Sequence, residues 1–387
     1  MLDGDSPVVA GRVVTVGEGG RVRVDGARPA AGDGVGRALA RLVVPEIEAD
    51  APERAIEVDQ TNTSVIVGDR VIVKIVGEWA ASDRSAVLLE RLADAGTDGV
   101  DRLRGRVQWR HPQLGTSTLA IVTDFHVGAT DGWTWAVADV QARMDGGAEP
   151  DWPAVLGVHA ARLHDVLGSD ARSAAPDAPV ARRVRAEAAL DRALATTTGD
   201  AGARLANRSE ALAGGIRSLG ATEPGWEFPI HGDLHVGQVL ASAGDDGARR
   251  YTIIDFDGDP ALPADERGRP DAAARDVAHL LVSLDLVAAV AQKYARRVDD
   301  AAWAWADRAR NALLSAYRET LGRAELFDEA LLPGFEAEQL AAELHYADRF
   351  LPAWRYAPDA AITHRYPSSH ELPEVPWTPP PFDPTSS

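Results

Sequence analysis

The sequence predicts an α+β protein of two lobes, in which a β-rich N-terminal lobe precedes a mostly helical C-terminal lobe. Short runs of β-branched residues, separated by turn residues, fill much of the first third of the chain. From Trp152 onwards, apolar residues recur with the spacing of amphipathic helices. Two acidic turns, at Asp233 and Asp255, each follow a short apolar run. At 387 residues with 45% hydrophobic residues, the chain can bury a substantial core in two or three domains.

Composition and charge restrict the classes of partner. The net charge of −19 argues against nucleic acid and anionic membranes, because both attract Lys and Arg. A cationic substrate suits this field, whereas an anionic cofactor requires local compensation. The chain has no Cys, which excludes disulfides and thiolate chemistry and fits a reducing cytoplasm. No secretory segment is visible at the N-terminus, so we expect a cytoplasmic protein, and the sequence carries no signal for an oligomeric state.

The two acidic turns have the composition of a phosphoryl-transfer site. The first lies in IHGDLHVGQVL and the second in YTIIDFDGDP. In kinase-type sites, one Asp accepts the proton of the attacking hydroxyl, an amide side chain binds Mg²⁺, and a second Asp completes the metal site. Here those places fall to Asp233, Gln238 and Asp255. Each turn by itself is equally compatible with a plain Gly-Asp connection, and Asp257 and Asp259 are either further ligands or turn residues.

The N-terminal part of the chain reads as β structure. A hairpin over residues 8–24 and a helix over 33–43 precede predicted strands at 56–58, 65–67 and 71–76. The loop between the first two of these strands is polar and lacks glycine. We expect its side chains to contact nucleotide phosphates, although a polar hairpin tip explains the same residues; the candidates are Thr61, Asn62, Thr63 and Ser64.

Lys74 stands out because the chain otherwise uses Arg for its positive charges. Of 40 basic residues, only Lys74 and Lys293 are Lys. A Lys amid Val and Ile indicates a need for a compact ammonium, as in kinases, where it holds the phosphates and pairs with a Glu of the next helix. Glu90 lies in a segment of helical periodicity and is the expected partner. The alternative is an exposed strand Lys.

An apolar strand that starts at Leu119 runs into an irregular connection, as expected for a hinge between lobes. Backbone groups near Asp124, Phe125 and Val127 are the candidates for pairing with adenine. The same stretch is compatible with an ordinary core strand and loop. Helices are predicted from Trp152, over 180–219, from Arg275, and over 301–317 and 337–350, followed by a Pro-rich, extended and partly disordered tail.

The form HGDLHxGQ followed by IDFDGDP resembles the aminoglycoside-phosphotransferase-like kinases, most closely the actinobacterial maltokinases and glucosamine kinases. The resemblance extends over roughly residues 55–360. It implies a bilobal protein-kinase-like fold with an N-terminal cap (1–50), a β-rich lobe (51–127) and a helical lobe with the catalytic motifs (128–387). It also implies a sugar kinase that uses ATP and Mg²⁺. A protein kinase is disfavoured because no APE-like motif follows Asp255. A non-catalytic nucleotide-binding or interaction module is disfavoured too, because such modules usually lack at least one of the three residues that are all present here as Lys74, Asp233 and Asp255.

The acceptor is expected to be a small sugar. The C-terminal WRYAPD segment resembles glucosamine kinases more than maltokinases. An aromatic face can stack on a pyranose ring and a carboxylate can pair with an amine, so an acidic chain favours glucosamine, phosphorylated at its 6-hydroxyl. Maltose, converted to maltose 1-phosphate, and other aminosugars or aminoglycosides are the alternatives, and Trp354 and Tyr356 equally suit a C-terminal anchor. The acceptor candidates are Asp233, Asp259, Tyr346, Trp354 and Asp359.

Overall fold

The computed structural model describes residues 1–56, 62–79, 83–244, 246–262, 264–369 and 374–380. It divides into two compact units. Unit 1 comprises Met1–Ala129 and Ser242–Arg269, and unit 2 comprises Thr130–Ala241 and Pro270–Ser387. The predicted phosphate-loop residue Thr61 and the end of the Pro-rich tail lie outside the described residues.

The secondary structure follows the predicted order of a β-rich region and then a helical one. The strands are β1 Leu2–Asp3, β2 Val8–Val9, β3 Arg12–Val16, β4 Val22–Val24, β5 Glu53–Ala55, β6 Thr63–Val67, β7 Val71–Ile75, β8 Leu103–His111, β9 Gly115–Asp124, β10 Arg172–Ser173, β11 Trp226–Glu227, β12 Val239–Ala243 and β13 Arg249–Ile253. The α-helices are α1 Val35–Val43, α2 Arg84–Asp94, α3 Gly132–Met144, α4 Trp152–Leu167, α5 Ala178–Thr196, α6 Gly199–Leu219, α7 Ala264–Arg267, α8 Ala273–Ala295, α9 Asp300–Thr320, α10 Leu332–Phe350 and α11 Tyr356–Arg365.

Unit 1 is built on a six-stranded sheet in the order β1-β8-β9-β7-β6-β5. Strand β1 pairs with β8 in parallel, and the other neighbours are antiparallel. Val65, Val73 and Val122 of the sheet are fully buried, and they share one apolar core with Val14 and Leu39 from the N-terminal segment. The residues predicted as a cap therefore complete the core of the sheet, because β-branched side chains on a pleated surface need a covering layer.

The first elements of unit 1 confirm most of the sequence predictions. Strands β3 and β4 pair as the expected hairpin, and α1 begins two residues after the predicted start. Strand β5 covers Glu53–Ala55, and of the strand predicted at residues 56–58 only Ile56 lies within the described residues, where it follows the end of β5. The N–H of Ile56 donates to the carbonyl of Ser64 at 3.1 Å, which extends the pairing with β6 one residue past β5.

Unit 2 is organised around helix α8, in which every residue from Ala273 to Lys293 is buried. A helix that is covered on all sides must lie at the centre of its domain, and α3, α9, α10 and α11 all pack against it. Its acidic residues therefore need partners. The carboxylate of Asp285, for example, accepts from Arg310 at 3.1 Å and from Arg365.

Residues 374–380, the described part of the C-terminal tail, pack on the helices of unit 2. Residues 374–380 contain no helix or strand, in agreement with the predicted extended tail. Glu374 nevertheless binds Arg208 at 2.6 Å and Asn207 at 3.0 Å, so this part of the tail is held by α6. Within the described parts of the chain, no helix is long and apolar enough to cross a membrane.

Candidate active site

The turn that carries Asp233 lies in unit 2, where a buried carboxylate fixes its backbone. The N–H groups of His231 and Gly232 donate to the two oxygens of Asp276, at 2.7 and 2.8 Å. His164 lies 3.2 Å from the same carboxylate. Burial alone would raise the pKa of Asp276, but the hydrogen bond from His164 and the neighbouring donors hold it well below its usual range. Helix α8 thus presents an anion that holds the turn in one conformation.

Three further contacts hold the loop after Asp233. The Ser283 hydroxyl of α8 accepts from the N–H of Val236 at 3.1 Å. At the start of α3, Gly132 approaches so closely that an added Cβ would lie 1.7 Å from the carbonyl oxygen of Val236. The Trp135 indole donates to the carbonyl of Val239 at 3.0 Å. The loop is therefore clamped between α3 and α8, which is what a positioned catalytic group requires.

The side chain of Asp233 is available for chemistry. It retains 18% exposure. The Gln238 amide nitrogen lies 3.4 Å from Asp233 Oδ2, so the structure brings these two predicted residues together. His235 Nε2 lies 3.8 Å from the same oxygen, while its Nδ1 accepts from the N–H of Gly237 at 3.0 Å. His235 thus closes its own turn.

Lys74 lies in unit 1 and contacts both carboxylates of the second acidic turn. Its Nζ is 2.9 Å from Asp255 Oδ1 and 2.6 Å from Asp257 Oδ2. The expected pair with Glu90 is wrong, because Glu90 binds the guanidinium of Arg106 at 2.9 Å. Burial would lower the pKa of Lys74, but the two carboxylates raise it above its usual value, so the ammonium stays charged.

The residues predicted to cover the phosphates lie partly in a strand. Thr63 and Ser64 belong to β6, and Ser64 pairs across the sheet with Lys74. The hydroxyl of Thr63 accepts from Arg28 at 3.2 Å. The loop placement predicted for these two residues is therefore wrong, since the strand begins at Thr63. The side chain of Asn62 donates to Asp257 at 2.9 Å and accepts from the N–H of Gly77 at 3.2 Å.

The predicted hinge contains groups that are already engaged within unit 1. The N–H of Asp124 donates to the backbone carbonyl of Arg102 at 3.2 Å, and the N–H of Phe125 donates to that of Arg70 at 2.9 Å. The Asp124 carboxylate also binds Arg104. Val127 follows these residues and is 70% exposed. Adenine pairing through the N–H of Asp124 or Phe125 would require breaking these bonds, so Val127 remains the candidate best suited to it.

A cavity of about 390 Å³ lies beside Lys74 in unit 1. Basic side chains outnumber acidic ones in its lining. The basic residues are Arg21, Arg23, Arg28, Lys74, Arg84 and Arg267, and the acidic ones are Glu78, Asp83 and Asp257. In a chain of net charge −19, this is the local compensation that an anionic ligand needs.

Comparison with known proteins identifies the family. No family model matches the chain, but a glucosamine kinase of Streptacidiphilus jiangxiensis is 38% identical over 331 residues, which cover 81% of this chain and 74% of that protein. One from Mycolicibacterium smegmatis is 40% identical over 324 residues, covering 80% and 78%. The chain belongs to the glucosamine kinase family. A solved glucosamine kinase in complex with glucosamine, ADP and inorganic phosphate superposes with a TM-score of 0.77 at 32% identity, covering 92% of this chain and 87% of that one.

A second solved glucosamine kinase, in another crystal form, superposes with a TM-score of 0.80 at 32% identity over 92% of each chain. The predicted α+β fold of the aminoglycoside-phosphotransferase type is therefore confirmed, as is the resemblance to the glucosamine kinase family that the motifs indicated.

Among the acceptor residues predicted for this member of the glucosamine kinase family, Trp354 lies near the catalytic loop. Its ring meets that of Trp133 edge-on, with centroids 5.0 Å apart. Trp133 in turn stacks on His235 at 5.9 Å. Tyr356 packs near Trp354 at 6.1 Å and receives the ammonium of Lys293 over its ring at 4.3 Å. The aromatic segment is thus linked by ring contacts to the loop that bears Asp233.

The other acceptor candidates lie in different surroundings. Asp359 is 4% exposed and binds the guanidinium of Arg204 at 2.9 Å, so the predicted contact with an amine is wrong. Its carboxylate is committed to anchoring α11 on α6. Tyr346 packs on Phe350, with ring centroids 5.0 Å apart. Asp259 lies in unit 1, where it caps a turn by accepting from the N–H of Ala261 at 2.8 Å.

Three functional contacts were not predicted from the sequence. They are the support of the catalytic turn by Asp276, the placement of Trp133 beside His235, and the pairing of Lys74 with Asp257. The position of Asp276 could have indicated this role, because an Asp in an otherwise apolar helix is expected to be buried and then needs a hydrogen-bond donor as its partner. Trp133 carried none, since an aromatic residue near a helix start is common.

Proposed function

We propose that this protein transfers the γ-phosphoryl group of ATP to glucosamine, giving glucosamine 6-phosphate and ADP. The observation that carries the proposal is the 38–40% identity to two glucosamine kinases over four-fifths of the chain. The kinase motifs of this sequence lie within the same architecture. ADP and glucosamine are both present in the complex of a solved relative, which supports the choice of nucleotide and acceptor.

In the proposed reaction, Asp233 accepts the proton of the sugar hydroxyl as its oxygen attacks the γ-phosphorus. The new P–O bond forms while the bond between the γ-phosphorus and the β,γ-bridging oxygen breaks, and ADP leaves with that oxygen. Lys74 and the basic cavity beside it counter the charge of the phosphates. Phosphoryl transfer depends mainly on positioning and on neutralising charge, so these groups supply its main requirements.

The side chains of Asp255 and Gln238 offer the kind of ligand atoms that suit the expected cofactor Mg²⁺. A carboxylate and an amide carbonyl are hard oxygen ligands, which Mg²⁺ prefers. The Asp255 carboxylate is 42% exposed, and the Gln238 amide nitrogen faces Asp233, which leaves the amide oxygen as its acceptor atom. When bound, the ion would neutralise phosphate charge. We propose these two residues as its protein ligands.

A substrate panel tests the proposal. ATP consumption is measured with glucosamine, N-acetylglucosamine, glucose, maltose and an aminoglycoside. We expect glucosamine to give the highest kcat/KM. Acetylation removes the positive charge but keeps the ring, so N-acetylglucosamine should lose most of the activity. Equal rates with both forms, or a preference for maltose, would overturn the aminosugar assignment.

A further inference from the structure

We propose that Asp257, rather than a glutamate of helix α2, is the residue that positions Lys74 for the nucleotide phosphates. The proposal rests on the proposed kinase function and deepens it. Lys74 Nζ lies 2.6 Å from Asp257 Oδ2, the shorter of its two carboxylate contacts. Glu90, in the helix that follows the Lys strand, is bound to Arg106 of β8. The carboxylate that a kinase lysine needs therefore comes from the acidic turn itself.

Asp257 is held as firmly as a positioning residue must be. The hydroxyl of Ser85, at the start of α2, donates to its Oδ1. The amide of Asn62 donates to its Oδ2 at 2.9 Å, and Lys74 occupies the same oxygen. Three donors from three different segments thus hold this one carboxylate in place, and the carboxylate in turn orients the Lys74 ammonium.

The turn is shaped to present this carboxylate. Asp255 has a φ of +62° and Gly258 a φ of +79°, so the chain reverses sharply on both sides of Asp257. Phe256 between them is 1% exposed, so the turn is held by a buried aromatic ring. A Cβ on Gly258 would lie 3.1 Å from the carbonyl of Arg267, so glycine suits both the angle and the space.

The network also connects Lys74 to the segment expected to cover the phosphates. Asn62 is one of the candidates predicted for that segment, and its side chain joins Asp257 to the N–H of Gly77, just after β7. Arg28 donates to the backbone carbonyl of Asn62. Asp257 is therefore a shared acceptor for Lys74 of β7, Ser85 of α2 and Asn62. Its removal should loosen all three at the nucleotide phosphates.

A double-mutant cycle on nucleotide affinity tests the proposal without any sugar acceptor. The dissociation constant of ATP is measured by calorimetry for the wild type, Asp257→Asn, Lys74→Ala and the double variant. If Asp257 acts through Lys74, Asp257→Asn weakens binding about tenfold, and the double variant binds no more weakly than Lys74→Ala. Additive losses would overturn the proposal. Since the assay needs no acceptor, a failure of the glucosamine assignment leaves its result intact.

Two comparisons exclude other roles for Asp257. Measured in EDTA, the loss should persist for metal-free ATP; a loss seen only with Mg²⁺ would make Asp257 a metal ligand instead. Glu90→Gln should affect ATP binding much less than Asp257→Asn, and the reverse order would restore the helix glutamate. Asp246→Asn, at an exposed hairpin turn, controls for the loss of one charge.

Kinetics and a milder variant complete the test. In steady state, Asp257→Asn should raise KM for ATP and leave KM for glucosamine unchanged, whereas a general loss of structure would raise both. Ser85→Ala removes one donor to Asp257 and keeps the carboxylate. It should weaken ATP binding in the same direction by roughly two- to threefold, so the proposal can be tested even if Asp257→Asn fails to fold. An unchanged affinity in a folded Ser85→Ala protein would count against it.

Discussion

The carboxylate of Asp276 accepts the backbone N–H of His231 at 2.7 Å, and this bond joins the central helix of unit 2 to the catalytic turn. The second oxygen accepts the N–H of Gly232. Because both oxygens serve the turn, an amide cannot replace the carboxylate. A side chain of Asn offers one acceptor and places an NH₂ group against a backbone N–H.

Asp276→Asn should therefore impair both folding and catalysis. We expect a loss of about 2–4 kcal/mol in the free energy of unfolding, because charged hydrogen bonds in a buried site are removed. A shift of the turn by even 1 Å should lower kcat about tenfold or more. Urea denaturation and steady-state kinetics measure the two effects. Wild-type values of both would show that the turn holds its conformation without this anion.

Asp233→Asn should abolish most turnover while the fold survives. The side chain is partly exposed, so little stability should depend on its charge. Loss of a general base lowers kcat by roughly 10² or more. ATP affinity and the thermal midpoint should stay near the wild-type values. Phosphorylation at the wild-type rate would remove Asp233 from the mechanism.

The candidate site residues carry signals in the sequence that their three-dimensional partners do not. Asp233 and Asp255 could be found because apolar runs flank each acidic turn, and Lys74 because the chain so rarely uses Lys. The helices of unit 2 were predictable because their apolar residues keep a regular period. Each of these predictions depends only on the sequence near the residue concerned.

Partners chosen in three dimensions could not be predicted in this way. Glu90 has helical spacing and a suitable separation from Lys74, yet Arg106 of the neighbouring strand β8 binds it instead. Asp359 was predicted as an amine ligand, but the buried Arg204 satisfies it. In both cases a nearby guanidinium competes for the carboxylate, and the local sequence does not show which cation lies closer.

His279 predicts how stability depends on pH. It is 3% exposed, and its Nδ1 has no hydrogen-bond partner among the residues that the structure describes. Burial, together with the Arg275 guanidinium, lowers its pKa from 6.5 to about 3. Between these values the unfolded chain binds a proton that the folded chain does not. Stability contributed by neutral His279 is therefore complete above pH 6.5 and is lost as the pH falls, by up to about 1.4 kcal/mol per unit.

Urea denaturation of the wild type and of His279→Gln between pH 7 and 5 checks this dependence. Carboxylates with ordinary pKa values remain largely ionised over that interval, so they contribute little to the slope. The free energy of unfolding of the wild type should fall more steeply than that of the variant. Parallel curves would mean that His279 takes up its proton without unfolding.

Gly132→Ala tests the clamp between α3 and the catalytic loop. An added Cβ would overlap the carbonyl of Val236, so either the helix or the loop must move. We expect a loss of about 1–3 kcal/mol in stability and a lower kcat. Gly268→Ala is the matched control, since a Cβ there meets nothing within 4 Å. Equal behaviour of the two variants would show that the loop yields without cost.

Trp354→Ala addresses the acceptor. The ring of Trp354 reaches the catalytic loop through Trp133 and His235, a position from which it can stack on a sugar bound at Asp233. Stacking of this kind contributes about 1 kcal/mol, so we expect KM for glucosamine to rise about fivefold while the ATP dissociation constant stays unchanged.

Phe350→Ala controls for the removal of an exposed aromatic ring, since Phe350 packs on Tyr346 and is 57% exposed. If Trp354 instead serves only to anchor α11, the variant should give a different result in these measurements. In that case the thermal midpoint would drop and KM for glucosamine would stay at the wild-type value.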